Sequence, residues 1–372
     1  MEDHENPFIN KKKQKKEFPI IPALVVLLVL MISIVIFIFF KFINTSIPLK
    51  SQTFEAISGL QSALSNKSYG WAYQDQGIWQ VEINNKTYGP YNGMVVLLSV
   101  SDKGFSYAYQ NNNKWTVNIN GKEYGPYDSV MDVVVADKKY GFIYQNNNKW
   151  TVNINGKEYG PYDFVQQKTL GVSSNNFGFI YQNNNKWTVN VNGKDVGPLD
   201  SIGSLAVANK KIAYAYQNNN KWTVNINGKE YGPYDQNVFY LTVSDKSFGY
   251  VYEDQGKRYI KINNNQYGPF DDVGGLDLYN NAYIFSTFKL GEKWTVNVNG
   301  KEYGPYDTIK KVSVSDKMFG FIYQNDNKWE ININNKIYGP YDNADNLIVF
   351  NDSYGFVYNN LGKTFFTINP EN

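Results

Sequence analysis

Seven aspartates recur at one place in a repeated phrase, each directly after Gly-Pro and one bulky residue: Asp128, Asp163, Asp200, Asp235, Asp271, Asp307 and Asp342. A carboxylate repeated at fixed spacing could hold a metal, move a proton or close a turn. The surrounding residues decide between these. The chain has no Cys and a single His, His4, near its start, so thiolate chemistry, disulfides and His-ligated metal sites are excluded from the repeats. No Asp-x-Asp-x-Asp-Gly loop of the calcium-binding kind occurs. Capping of a turn is the usual work of such an aspartate, and the sequence predicts that role here.

Catalysis would need a cluster that breaks the repeat. The departures are residues 253–266 (EDQGKRYIKINNNQ), 286–293 (STFKLGEK) and 196–200 (VGPLD). Glu253, Asp254 and Arg258 form the one new charged group, which is thin support for general acid–base chemistry. The reading is therefore no catalytic residue, no metal and no cofactor. Binding residues are better represented. Asn112, Asn147, Asn184 and Asn219 lie in Gln-Asn-Asn-Asn segments, and Tyr127, Tyr162, Tyr234, Tyr306 and Tyr341 precede the recurring Asp. Amides offer donors and acceptors, and Tyr with Asn suits adaptable contact surfaces. The recurring Trp (Trp79, Trp115, Trp150, Trp187, Trp222, Trp294, Trp329) reads as core, with stacking platforms for sugars as the alternative.

These residues are positioned by a unit of about 36 residues. The segment NNNKWTVNINGKEYGPYD at 111–128 recurs without change at 146–163 and 218–235. Such a period marks an array of one supersecondary unit. Residues 130–163 read as four strands. The first is rich in Val (Val133, Val134, Val135), as suits burial on both faces. The second is YGFIYQ. The third alternates Trp150, Val152 and Ile154 with polar residues, a half-buried period of two. Asn155-Gly156 then predicts a tight hairpin. The fourth strand contains Pro161, which cannot join a ladder on both sides and so must lie at an edge. Four-stranded units with an apolar inner strand and an edge outer strand are the blades of a β-propeller.

The second-strand pattern occurs nine times, while the Pro-bearing strand occurs eight times. Residues 53–57 (TFEAI) stand where an outer strand should be, and are expected to complete the last blade. The count predicts nine blades, with eight plus one irregular unit as the alternative. The Gln-Asn-Asn-Asn loops, between second and third strands, should share one rim with the Asp-bearing connections.

Residues 23–40 (ALVVLLVLMISIVIFIFF) are apolar except Ser33 and, with their flanks, reach a membrane-spanning length. Five lysines (Lys11, Lys12, Lys13, Lys15, Lys16) precede them, which predicts a cytoplasmic N-terminus. The expected organisation is a cytoplasmic tail (1–17), a transmembrane helix (18–43), a linker (44–51) and an extracytoplasmic propeller (52–372). Beyond the tail and Lys41, acidic and basic residues balance, which argues against a nucleic-acid partner.

The pattern of Ser-Asp-Lys turn, Phe-Gly-[Phe/Tyr], Lys-Trp and Asn-Gly-Lys-Glu-Tyr-Gly-Pro-Tyr-Asp resembles the WD-repeat-like propeller repeats typified by TolB. The turns are Ser101-Asp102-Lys103, Ser244-Asp245-Lys246 and Ser315-Asp316-Lys317. The Pro and Gly usual in that family's turn are missing. The resemblance spans 52–372 and implies a propeller outside the cytoplasm that binds protein partners. The expected function is a membrane-anchored, protein-binding scaffold at the cell envelope. A multivalent carbohydrate-binding propeller is the alternative, followed by a hydrolase or lyase with its site in the central funnel.

Overall fold

In the most regular repeats the chain folds back on itself at two asparagine turns. In the third unit, Asn155 (φ 50°) and Gly156 (φ 85°) turn the chain between third and fourth strands, as the Asn-Gly pair predicts. Asn147 (φ 51°) and Asn148 (φ 59°) make the same kind of turn between second and third strands. Asn tolerates the left-handed region better than other non-glycine residues, which explains its recurrence at both places. The computed structural model describes residues 52–56 and 61–370.

The third unit contains strands Ser129–Val135, Tyr140–Asn146, Lys149–Ile154 and Lys157–Tyr162, hydrogen-bonded antiparallel in that order. The Pro-bearing strand is outermost. Its register jumps from Val152↔Tyr159 to Trp150↔Tyr162, so Gly160 and Pro161 bulge out of the ladder. A Cβ on Gly160 would lie 2.9 Å from the Trp150 carbonyl oxygen, and its φ is 125°, so only glycine fits. The bulge and the proline together blunt the exposed edge.

The described residues form nine such sheets. They are numbered here as blades: 61–91, 95–127, 129–162, 164–199, 201–234, 238–270, 272–306, 308–341 and 343–370. The inner strand of blade 4 is split into Phe164–Val165 and Gly171–Val172. Core forms between blades as well as within them. Phe142, Ile143 and Tyr144 on the second strand of blade 3 are all buried, with neighbours covering both faces. The inner strands show a less continuous burial (Val130, Val133 and Val135 in blade 3), because they border the central opening.

The ring closes through chain ends of opposite origin. Strand Gln52–Ala56 pairs antiparallel with Lys363–Pro370, with Phe54 opposite Phe366, and supplies the fourth strand of blade 9. Blade 9 also packs on blade 1. The Asn351 N–H donates to Asn66 Oδ1 (3.2 Å), Ser353 Oγ donates to the Ser65 carbonyl (3.2 Å), and the Trp71 and Phe366 rings meet at 6.2 Å. The nine-blade count holds and the eight-blade alternative does not.

Among the described residues, no helix is long and apolar enough to cross a membrane. The expected tail (1–17), transmembrane helix (18–43) and linker (44–51) lie outside the described residues.

Candidate functional site

The recurring aspartates fasten one blade to the next. The Asp128 carboxylate pairs with Lys114 of its own blade and accepts the Asn147 N–H of blade 3 at 2.9 Å. Asp163 pairs with Lys149 (2.5 Å) and accepts from Asn184 N–H (2.8 Å). Asp271, Asp307 and Asp342 repeat the arrangement with the backbone N–H groups of Leu290, Asp326 and Leu361. The lysine hydrogen bond, then the backbone donor, holds Asp128, Asp163, Asp271, Asp307 and Asp342 below the usual carboxylate range. No group of three or more potential metal-ligating side chains occurs among the described residues.

On the opposite rim, the turns between first and second strands form their own chain of links. Lys67 N–H donates to Asp102 Oδ1, Lys210 N–H to Asp245 Oδ1 and Asp316 N–H to Asn351 Oδ1, each reaching one blade onward. A third set ties the inner strands together. Ser99 Oγ accepts the Val135 N–H, Asp277 Oδ2 the Val314 N–H and Ser313 Oγ the Val349 N–H. These satisfy inner-strand edge donors that no further strand can pair. Burial raises the carboxyls of Asp277 and Asp132, the latter to about 6.

The asparagines expected to bind do stand together on one rim. Asn112, Asn147, Asn184 and Asn219 are exposed, each the first residue of a second-to-third-strand turn with φ of 48–51°. The tyrosines are placed differently. Tyr127, Tyr162, Tyr234, Tyr306 and Tyr341 lie between blades, their rings 4.0–4.4 Å from Tyr144, Tyr181, Tyr252, Tyr323 and Tyr358 of the next blade. Burial pushes the Tyr306 and Tyr341 hydroxyls up to about 12. Trp222 and Trp294 pack against their own inner strands, where a Cβ on Gly203 or Gly274 would meet their rings at 3.0 and 2.9 Å. Arg258, from the divergent charged group, occupies the place of the recurring Trp. It pairs with Asp272 and lies 5.2 Å from the Phe239 ring.

The same rim carries residues that the repeat pattern hides. Large apolar side chains are strongly exposed at Met94, Phe164, Leu290 and Leu361 in or beside its loops, with Leu290 83% and Leu361 88% exposed. Two more among the described residues are Tyr240, at an inner-strand bulge, and Ile337, on an outer strand. Of these six, Ile337 alone lies beside the opposite rim, just after the Asn334-Asn335 turn. The signal in the sequence is a break in the turn: Leu-Gly replaces Asn-Asn at 290–291 and 361–362.

Beside this rim the inner strands lose their regular pairing. Inner strands bulge near the ends that follow the Asp connections, between Val96 and Ser99 in blade 2 and between Asp345 and Ile348 in blade 9. Leu97 (φ 60°) and Asn346 (φ 51°) take the left-handed region there. A cavity of about 620 Å³ follows, lined by Gln61, Ser62, Leu97, Lys311, Asp345 and Leu347 among others, from blades 8, 9, 1 and 2. Its wall mixes aliphatic groups with one ammonium, one carboxylate, one hydroxyl and the two amides of Gln61 and Asn346.

No protein-family model matches the chain, and no curated protein matches it. Among solved structures, it is similar to the WD40 domain of SCAP from fission yeast at 9% identity, covering 86% of this chain and 98% of that one, with a TM-score of 0.45. It is also similar to the β-propeller domain of the Trilobed protease from Pyrococcus furiosus at 11% identity, covering 68% and 98%, with a TM-score of 0.42. At this distance the likeness adds nothing to the strand pairing itself.

Proposed function

We propose that this chain is a membrane-anchored, extracytoplasmic scaffold that holds a protein partner on the rim carrying the second-to-third-strand turns. One observation carries the reading: of the six exposed large apolar side chains among the described residues, four sit in or beside the loops of that rim, against one, Ile337, beside the opposite rim. Soluble surfaces seldom concentrate apolar groups without a contact to make. Leu290 of blade 7, Leu361 of blade 9 and Met94 between blades 1 and 2 flank the sector that lines the 620 Å³ cavity. The partner would cover this sector, with exposed amides such as Asn112 as its polar surround. Anchoring is supported by the apolar run at 23–40 and the lysines before it. The resemblance to TolB-type repeats agrees with both parts.

Crosslinking of the full-length chain in intact cells, followed by mass spectrometry, tests the partner. Replacing Leu290 and Leu361 together with Asn should abolish the crosslinked protein while leaving the melting temperature unchanged. Capture of the same protein at the same yield would defeat the proposal. External protease should digest 52–372 in spheroplasts; complete protection would overturn the orientation. A second reading, glycan binding, is favoured by the exposed Asn-Asn turns alone. Binding on a glycan array that falls stepwise with Asn112→Ala, Asn147→Ala and Asn219→Ala would support it instead.

A further inference from the structure

The boundary between blades 4 and 5 departs from its sisters in one consistent way. At seven of the eight boundaries from blade 1 to blade 9, an outer-strand tyrosine packs on the second strand of the next blade, as Tyr159 does on Phe177 at 5.6 Å. At six of these a lysine two residues earlier caps the ring, as Lys157 caps Tyr159 at 4.9 Å. In blade 4 the tyrosine is Val196, and the facing aromatic of blade 5 is Ile212. The lysine remains, as Lys194, with no ring of its own to cap.

The missing rings leave a cleft of about 300 Å³, lined by Val191, Lys194, Val196, Ile212, Tyr214 and Asn225 among others. One polar group in it lacks the tyrosine partner its sisters have. Where the second strand carries Tyr at this place, its hydroxyl pairs with an outer-strand tyrosine: Tyr107 with Tyr91 (2.6 Å) and Tyr250 with Tyr234 (2.7 Å). The partner position for Tyr214 is Leu199, so Tyr214, which lines the cleft, has no tyrosine hydroxyl of the chain to pair with as its sisters have. Asn225, also in the lining, accepts the Gly228 N–H through Oδ1.

We propose that this cleft is a binding site for the phenol side chain of a tyrosine from a partner polypeptide. The molecule itself supplies two templates: tyrosines at the place of Val196 fill this volume elsewhere, and tyrosines at the place of Leu199 meet the hydroxyl at the place of Tyr214. A ligand ring would lie on Val196 and Ile212 under the Lys194 ammonium, an arrangement stabilised by apolar burial and by cation–π attraction. Its hydroxyl would meet the Tyr214 hydroxyl, which a phenylalanine could not satisfy. The site lies in the flank between blades, away from the rim invoked above, and does not depend on that reading.

Calorimetric titration of the full-length chain with acetyl-Gly-Tyr-Gly-amide, its Phe counterpart and 4-ethylphenol tests the assignment. The Tyr peptide should bind saturably and more tightly than either other probe. Val196→Tyr restores the repeat's own ring, so it should raise the melting temperature while weakening the Tyr peptide at least about tenfold. Tyr214→Phe should erase the preference for Tyr over Phe. Absence of binding, binding unchanged in Val196→Tyr, or equal affinity for 4-ethylphenol and the peptide would each overturn the proposal. The raised melting temperature separates a filled cleft from a misfolded chain.

Discussion

At the scale of single residues, charge and amide chemistry in this protein serve mainly to join neighbours. The two classes of aspartate respond to pH in opposite senses. Asp132 has its carboxyl raised to about 6 by burial on an inner strand. Its unfolded value is about 3.9, so the unfolded chain ionises first as pH rises, and stability falls between about pH 4 and 6. Asp132→Asn keeps an acceptor oxygen and removes that loss. Its melting temperature should exceed the wild type's above pH 6, with the gap shrinking toward zero below pH 4. Asp128 and Asp163 are held low, so their contribution is present above the ordinary carboxylate range and is lost as pH falls below it. Acid melting curves of Asp163→Asn should converge with the wild type at the lowest pH. That these aspartates cap turns was legible in the sequence. Their partners were not, because each donor belongs to a turn about 19 residues onward in the next blade.

At the scale of elements, the hairpins and the outer edge follow from a few residues with strict backbone demands. Asn-Gly demands the tight turn, and proline excludes the central strands. The place of the tyrosines does not follow from such local rules. Tyr127 adjoins the rim-bearing Asp128 in sequence, which is why a rim position is the natural expectation. The bulge at Gly125-Pro126 re-aims the chain, so that Tyr127 sits opposite Trp115 and its ring slides between blades onto Tyr144. The inner-strand bulges have no common residue signature (Leu97-Leu98, Met131, Gly203) and stayed hidden for that reason. The aromatic ladder between blades carries the packing energy. Phe179 is fully buried there between Tyr159 and Tyr162. Phe179→Ala should cost about 3–5 kcal/mol in denaturant unfolding, the range for a buried aromatic that leaves a cavity. Leu290→Asn, on the rim, should cost almost nothing by the same measurement.

At the scale of the whole molecule, nine similar sheets would form an open stack unless the two ends met. The strand from 52–56 closes the last blade, and the turn links run through Asn351 and Asn66 to complete the circuit. Without residues 1–60, the strand Lys363–Pro370 becomes an unprotected edge. That truncation should lower the melting temperature and shift the protein toward oligomers in sedimentation velocity. The count of repeats revealed closure because it showed an outer strand missing at one end and a surplus strand at the other. Hydrogen exchange of the full-length chain tests closure most directly. In a closed ring, amides in 364–368 exchange as slowly as those in the third strand of blade 8, Lys328–Ile333, and become fast when residues 1–60 are removed. Fast exchange at 364–368 in the intact chain, unchanged by that removal, would contradict the ring.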